Sequence, residues 1–215
     1  MAELKLQRCS ASLDTSPRGD LRRMYIWTAL YIEDNLEELR DQAISIGEQL
    51  GVKCPITFLP LHVSLKISFP VDEKRVDECI DVLCDYYSKL GPFSIEIEGY
   101  EMQKGIIWLR IKENERLVEI HNHLDELMLS KFGAEPNALD HQFIYHCTLF
   151  TDTDDKLSSA LEELKKFPLP SKIQAREFLI GASETGLPGT YSVFKHSHLG
   201  PAVSVKEQWD KFKNS

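Results

Sequence analysis

Two short stretches of the chain combine the alternating pattern of a β-strand with a histidine and a hydroxyl on one side. They are "LHVSLKIS" (residues 61–68) and "YHCTLF" (residues 145–150). Side chains two positions apart on a strand point to the same face, so His62 lies beside Ser64 and His146 beside Thr148. The interleaved residues are largely apolar. The pattern therefore predicts two strands, each with a buried back and an open polar front.

The order of predicted elements repeats around these two strands, which lie 84 residues apart. A strand over 24–32 and a helix ending at Gly51 precede the first motif, whose strand is expected to end at Pro70 before another helix. A hairpin turning at residues 103–105 and a helix precede the second motif. The remaining predicted elements are a helix over about 154–167 and strands over about 173–181 and 190–196. The repeat predicts two related lobes.

The length and composition fit one domain made of two closely packed halves. Of the 215 residues, 42% are hydrophobic and 27% are charged, which is ordinary for a globular protein. Residues 1–23 lack hydrophobic periodicity and are predicted to be a mobile tail. Residues 24–200 then form the domain, and residues 201–215 form a C-terminal extension.

Charge and cysteine content restrict the partners and the compartment. The formal net charge of −9 repels polyphosphates, so long nucleic acids are not expected to bind. The sequence contains no run of about 18 apolar residues, so no membrane contact is expected. The N-terminal stretch lacks the apolar segment that a signal peptide requires. The five cysteines form no C-x-x-C pair and are expected to be reduced thiols. These features predict a cytoplasmic protein, expected to be a monomer, and any nucleic-acid substrate is expected to be short, such as RNA ends or small nucleotides.

Two imidazoles that face each other across a groove can act as acid and base at one phosphorus atom. The ordinary pKa of histidine is about 6.5, so one ring can be protonated while the other is neutral. The hydroxyls of Ser64 and Thr148 can donate to phosphate oxygens. Such a site supports in-line attack with no metal and no cofactor. Strand alternation places Lys66 on the face of His62, where it would add positive charge.

Three further residues are candidates for substrate contacts. Phe150 lies four positions after His146 and would either stack on a base or belong to the core. Trp108 and Arg110 share a strand face and would flank the substrate, although ordinary packing and solvation are the simpler explanation for both.

Other histidines and one cysteine have simpler interpretations. Cys147 points away from His146 and is expected to be a buried thiol. His121 and His123 lie two apart on a helix and are expected at the surface. His196 and His198 share one face and are conceivable as a zinc pair, but without a third ligand they are expected at an exposed strand end. No metal site is predicted.

The paired motifs resemble those of the 2H phosphoesterase superfamily, in particular its bacterial 2'-5' RNA ligase-like or cyclic phosphodiesterase branch. The resemblance extends over residues 24–200 in element order and includes "YIWTALYI" and "GIIWLRI". It implies an α+β fold of two pseudo-symmetric lobes, each an antiparallel sheet backed by helices, around a central groove. It also implies hydrolysis of nucleoside 2',3'-cyclic phosphates or 2'-5' linkages, with His62 and His146 as acid and base and with Ser64 and Thr148 holding phosphate.

Two other functions fit the same motifs. A nucleotide-binding or RNA-end-binding module would keep the pocket with little turnover. A 2'-5' RNA end-joining enzyme would run the cleavage reaction in reverse through the same site. The sequence leaves open which histidine is the acid and which phosphate isomer is released.

Overall fold

The computed structural model describes residues 22–136, 140, 143–187 and 189–200, so the predicted tail up to residue 21 and the predicted extension over 201–215 lie outside the described residues. The strands are β1 (Arg23–Tyr31), β2 (His62–Asp72), β3 (Phe93–Gln103), β4 (Ile106–Ile111), β5 (His146–Thr151), β6 (Lys172–Ala175), β7 (Glu177–Ser183) and β8 (Ser192–His198). The helices are α1 (Glu37–Leu50), α2 (Val76–Ser88), α3 (Glu115–Phe132) and α4 (Asp154–Leu164). None of these four helices has the length and apolar character needed to cross a membrane.

The strands form two antiparallel four-stranded sheets that are built alike. The strand order is β2-β1-β7-β8 in the N-terminal sheet and β5-β4-β3-β6 in the C-terminal sheet. In each sheet the strand that carries an H-x-[S/T] motif is an edge strand. The units β1-α1-β2-α2 and β4-α3-β5-α4 repeat the same order along the chain. The predicted α+β fold of two pseudo-symmetric lobes is confirmed.

The helices and the backs of both sheets share one hydrophobic core. Helix α2 contacts β2 and β7, α4 contacts β3 and β4, and α3 contacts β2. The apolar residues that alternate with the motif residues all lie in this core, as the strand pattern predicts: Leu61, Val63, Leu65, Tyr145, Cys147 and Leu149. Burial of a leucine or valine side chain contributes roughly 1.5–3 kcal/mol. Packing against the core on one face therefore stabilises the position of both motif strands.

The predicted hairpin in the C-terminal sheet is confirmed. Gln103 of β3 pairs with Ile106 of β4, which leaves Lys104 and Gly105 as a two-residue turn. Gly105 has a φ of 81°, a conformation that glycine adopts readily because it has no Cβ.

Two strand boundaries differ from the prediction. Strand β2 continues past Pro70, which pairs with Tyr25. A proline is tolerated there because β2 is an edge strand, where a missing N–H need not break a ladder. The single strand predicted over 173–181 is two strands, β6 and β7, that belong to different sheets. The chain crosses from the C-terminal to the N-terminal lobe at Arg176.

Candidate active site

The two motif strands contact each other where the sheets meet. Strand β2 lies against β5. Burial is the main cause that lowers the pKa of His62, and the charge of a protonated His146 lowers it further. The fold therefore brings two distant histidines within electrostatic reach of each other.

A hydrogen bond to the preceding loop fixes each imidazole. Nδ1 of His62 donates to the carbonyl of Pro60 at 2.8 Å, and Nδ1 of His146 donates to the carbonyl of Ile144 at 2.7 Å. A carbonyl only accepts, so Nδ1 carries the proton and the lone pair of the neutral ring is on Nε2. In both lobes Nε2 is thus the atom that can take up or release a proton.

Each imidazole also lies beside an indole. The ring centroids of His62 and Trp27 are 4.9 Å apart, and those of His146 and Trp108 are 4.8 Å apart. The indole of Trp27 lies over Gly181 of β7, where any side chain larger than hydrogen would clash with the indole Nε1. Trp27 was not predicted as a site residue. One sequence signal could have identified it: β1 and β4, the strands that pair with the two motif strands, each carry a tryptophan.

Burial lowers the pKa of both histidines. For His62 the hydrogen bond to Pro60 opposes this effect, and the charge of His146 adds to it. For His146 the hydrogen bond to Ile144 and the negative charge of Glu101 both oppose it. The two rings therefore differ in one respect: only His146 has a carboxylate among the causes of its shift, and this carboxylate favours its protonated form.

The hydroxyl residues of the motifs lie on the groove side of their strands. Ser64 pairs with Ala29 on β1, and Thr148 pairs with Trp108 on β4. Both hydroxyl residues are half-buried. They are placed beside the histidines as the strand alternation predicts, and their binding of phosphate stays a prediction.

A β-bulge follows the first motif and changes which face the next residue occupies. Ser64 pairs with Ala29, but Lys66 pairs with Thr28, so Leu65 is an extra residue in β2. An extra residue reverses the alternation of side chains beyond it. The prediction that Lys66 shares the groove face with His62 is wrong for this reason.

Lys66 instead points toward α3, where it is 1% exposed. Its Nζ lies 2.7 Å from a carboxylate oxygen of Asp125 and 2.7 Å from one of Asp140. His121, on α3, is also buried and hydrogen-bonds through Nδ1 to the carbonyl of Leu65 at 2.8 Å. The prediction that His121 lies at the surface is wrong, because α3 packs against β2, whereas His123 is exposed as predicted.

This buried cluster contains residue types that can bind a metal ion. Among the described residues, His121, Asp125 and Asp140 offer ligand atoms that all lie within 4.8 Å of one another. The ammonium of Lys66 already contacts both carboxylates and offsets part of their negative charge. The residues fit this internal ammonium group better than a metal ion.

A matching bulge follows the second motif. Thr148 pairs with Trp108, but Phe150 pairs with Ile107, so Leu149 is the extra residue in β5. Phe150 is fully buried in the core. The prediction that Phe150 stacks on a base is wrong, and the alternative core role is the one observed.

Arg110 and Trp108 lie on the groove side of β4, as predicted. Arg110 pairs with His146 across the strands. Its guanidinium donates to Glu98 at 2.8 Å and to Glu101 at 2.9 Å. Contact with the substrate stays a prediction for both residues, and the charge of Arg110 is already paired.

The remaining predictions concern residues outside the groove. Cys147 is buried and burial raises its thiol pKa to about 12, which confirms the core role. The cysteines within the described ranges are free: Cys54, Cys79, Cys84 and Cys147. His196 and His198 are exposed at the end of β8, as expected, and both contact the carboxylate of Glu177.

Comparison with known proteins finds a family, a sequence relative and solved structures that are similar to this chain. The model of the 2'-5' RNA ligase superfamily matches residues 31–184. An RNA 2',3'-cyclic phosphodiesterase of Thermotoga maritima is 25% identical over 157 residues, which cover 68% of this chain and 81% of that protein. E. coli LigT, solved with 3'-AMP, has a TM-score of 0.54 at 16% identity over 83% of this chain and 99% of LigT. A protein of Thermus thermophilus has a TM-score of 0.53 at 17% identity, over the same shares of the two chains. These structures share the bilobal fold.

Proposed function

Because the chain belongs to the 2'-5' RNA ligase superfamily of 2H phosphoesterases, we propose that it hydrolyses nucleoside 2',3'-cyclic phosphates or 2'-5' linkages in short RNA or small nucleotides. The observation that carries the proposal is the pair of histidines on facing edge strands, each anchored through Nδ1. Two such rings supply both proton transfers of phosphodiester hydrolysis, so we propose that no metal takes part. The free cysteines agree with a reducing compartment, and we place the protein in the cytoplasm.

In the proposed reaction His62 is the base and His146 is the acid. Nε2 of neutral His62 takes a proton from water, whose oxygen forms a bond to phosphorus. The bond from phosphorus to the ribose oxygen on the opposite side breaks, and His146 protonates that oxygen. The hydroxyls of Ser64 and Thr148 donate to the non-bridging oxygens, where negative charge increases. This assignment rests on two effects: burial, with a further contribution from the charge of His146, lowers the pKa of His62, and the negative charge of Glu101 opposes the lowering of the His146 pKa by burial.

The pH dependence tests the assignment of roles. Since burial lowers the pKa of both histidines from 6.5, kcat/KM is expected to be bell-shaped with its maximum on the acidic side of pH 7. Activity falls at low pH when His62 becomes protonated, and it falls at high pH when His146 loses its proton. Glu101→Gln removes a charge that raises the pKa of His146, so the alkaline limb moves to lower pH and the acidic limb stays in place.

Glu98→Gln is the matched control, because Glu98 also contacts Arg110 but is not among the causes of the His146 shift. Its pH profile is expected to match that of the wild type. If Glu101→Gln moves the acidic limb instead, the roles of the two histidines are reversed.

A substrate panel in the presence of EDTA tests the function itself. We expect hydrolysis of 2',3'-cyclic nucleotides or of 2'-5' dinucleotides at rates that EDTA does not change. Binding of nucleotides without turnover of any member of the panel would establish the binding module instead. A joined product at high RNA-end concentration would establish 2'-5' end joining.

A further inference from the structure

Two histidines and a glutamate form a cluster at the edge of the N-terminal sheet that lies opposite β2. His196 and His198 are two positions apart on β8, so their rings lie on the same face of this strand. Nε2 of His196 contacts one carboxylate oxygen of Glu177, and Nδ1 of His198 lies 2.9 Å from the other. The two histidines have no third ligand at a recognisable spacing along the chain, and the neighbouring strand β7 supplies it.

Strand pairing places this cluster on the same face of the sheet as His62. Tyr31 of β1 pairs with His62 on one side and with Glu177 on the other. Glu177 in turn pairs with His198. Directly paired residues project to the same face, and neighbouring strands are about 4.8 Å apart, so the main chains of His62 and Glu177 are about 10 Å apart. The cluster therefore faces the groove side of the sheet but is separate from the catalytic pair.

Neighbouring groups hold the cluster in a defined geometry. The ring of His196 lies against that of Tyr31, with the centroids 4.3 Å apart. After His198, the N–H of Leu199 donates to the carbonyl of Arg176 at 2.7 Å, which fixes the end of β8 beside β7. Two hydrogen-bonded strands thus present the ligand atoms, and strands position ligands more precisely than loops do.

The cluster is open to solvent, and within the described ranges no lysine or arginine forms an ion pair with Glu177. The side chains of His196 and His198 are 42% and 79% exposed, whereas that of Glu177 is 17% exposed. This differs from the buried cluster around Lys66, where an ammonium group already contacts both carboxylates. A cation from solution can therefore reach the carboxylate of Glu177.

The residue types of the cluster are those of a metal site. Imidazole nitrogens and carboxylate oxygens bind Zn²⁺ and related divalent transition-metal ions, and two histidines with one glutamate form the ligand set of zinc sites that keep a fourth position open. The Glu177 carboxylate lies between the two rings. Because His198 is mostly exposed, its ring can turn to share an ion with the other two ligands while the main chain stays in place.

We propose that His196, His198 and Glu177 bind a divalent transition-metal ion, such as Zn²⁺, on the groove face of the N-terminal sheet. The ion joins β7 to β8, and its remaining coordination position is open to water or to an anionic group of a ligand in the groove. The site takes no part in the proposed proton transfers at His62 and His146. Hydrolysis that EDTA does not change is therefore compatible with metal binding here.

Calorimetric titration of the full chain with ZnCl₂ tests the site, after removal of bound metal and with the thiols kept reduced. We expect one Zn²⁺ per chain. Glu177→Gln and His198→Ala should each weaken this binding by at least roughly 10-fold, because even the loss of a group that only supports a ligand weakens metal binding by 10-fold to 100-fold. His123→Ala, which removes an exposed histidine from α3, is the matched control and should bind as the wild type does.

Thermal unfolding gives a second measurement of the same site. A ligand that binds only the folded chain raises Tm, and ZnCl₂ at a hundredfold excess over Kd is expected to raise it by roughly 5–10 °C. The increase should disappear in His198→Ala. Far-ultraviolet circular dichroism without metal checks the fold of each variant, and His196→Ala replaces any variant that does not fold.

Three results would overturn the inference. The first is the absence of both heat and a Tm increase when ZnCl₂ is added to the wild type. The second is binding that Glu177→Gln leaves unchanged, since the ion would then be held without the carboxylate. The third is an equal loss in His123→Ala, which would mean that the ion binds histidines in general. Because no activity is measured, failure of the proposed function does not affect these results.

Discussion

Replacing His62 or His146 with alanine is expected to lower kcat on a 2',3'-cyclic nucleotide by roughly 100-fold to 10,000-fold, the range of general acid–base catalysis. Each ring presents Nε2 for proton transfer because Nδ1 is held by a carbonyl. Both rings are half-buried and border the groove, so their removal leaves the core intact. Initial rates and near-ultraviolet circular dichroism, measured on the same preparations, separate the loss of catalysis from unfolding.

His123→Ala is the control for this experiment, since His123 is exposed on α3 away from the groove. Its rate is expected to equal that of the wild type. The double variant His62→Ala/His146→Ala should lose less than the product of the two single effects, because residues that act in one transition state are not additive. Hydrolysis of cyclic nucleotides that survives both single substitutions would remove the catalytic proposal.

Replacing Lys66 with methionine is expected to lower the free energy of unfolding by about 3–5 kcal/mol, as when one partner of a buried ion pair is removed. Methionine keeps a similar length but leaves the carboxylates of Asp125 and Asp140 without the ammonium that each contacts at 2.7 Å. Urea denaturation followed by far-ultraviolet circular dichroism measures the change.

Lys89→Met provides the comparison on the surface. Lys89 forms an ion pair with Asp85 in which both side chains are 68% exposed, and such pairs contribute about 1 kcal/mol or less. Adding Asp125→Asn to Lys66→Met should restore part of the lost stability, because fewer charges then remain uncompensated. A loss no larger than that of Lys89→Met would show that the buried cluster does not stabilise the fold as described.

Much of the architecture follows from local patterns in the sequence. The period-two alternation around each histidine places hydroxyls beside imidazoles and apolar residues in the core, because successive side chains on a strand point to opposite faces. The hairpin at Lys104 and Gly105 was also predictable, since a two-residue turn with positive φ favours glycine. The repeated order of strands and helices predicts two lobes without information on contacts between them.

The positions that were predicted wrongly depend on pairing between strands. Lys66 and Phe150 each lie one residue beyond a bulge, and a bulge exists only in relation to the neighbouring strand. Alternation alone continues past the bulge and assigns both side chains to the groove. The burial of His121 similarly depends on which strand α3 covers.

The sequence by itself thus determined the two lobes, the strand faces within each motif and the candidate catalytic pair, because these features arise from neighbours along the chain. Only the tertiary structure decided that β6 and β7 belong to different sheets, that Lys66 serves a buried carboxylate cluster, and that Trp27 and Tyr191 meet beside His62. The physical reason is that strand register and helix packing bring together residues far apart in the chain, and no local period encodes those contacts.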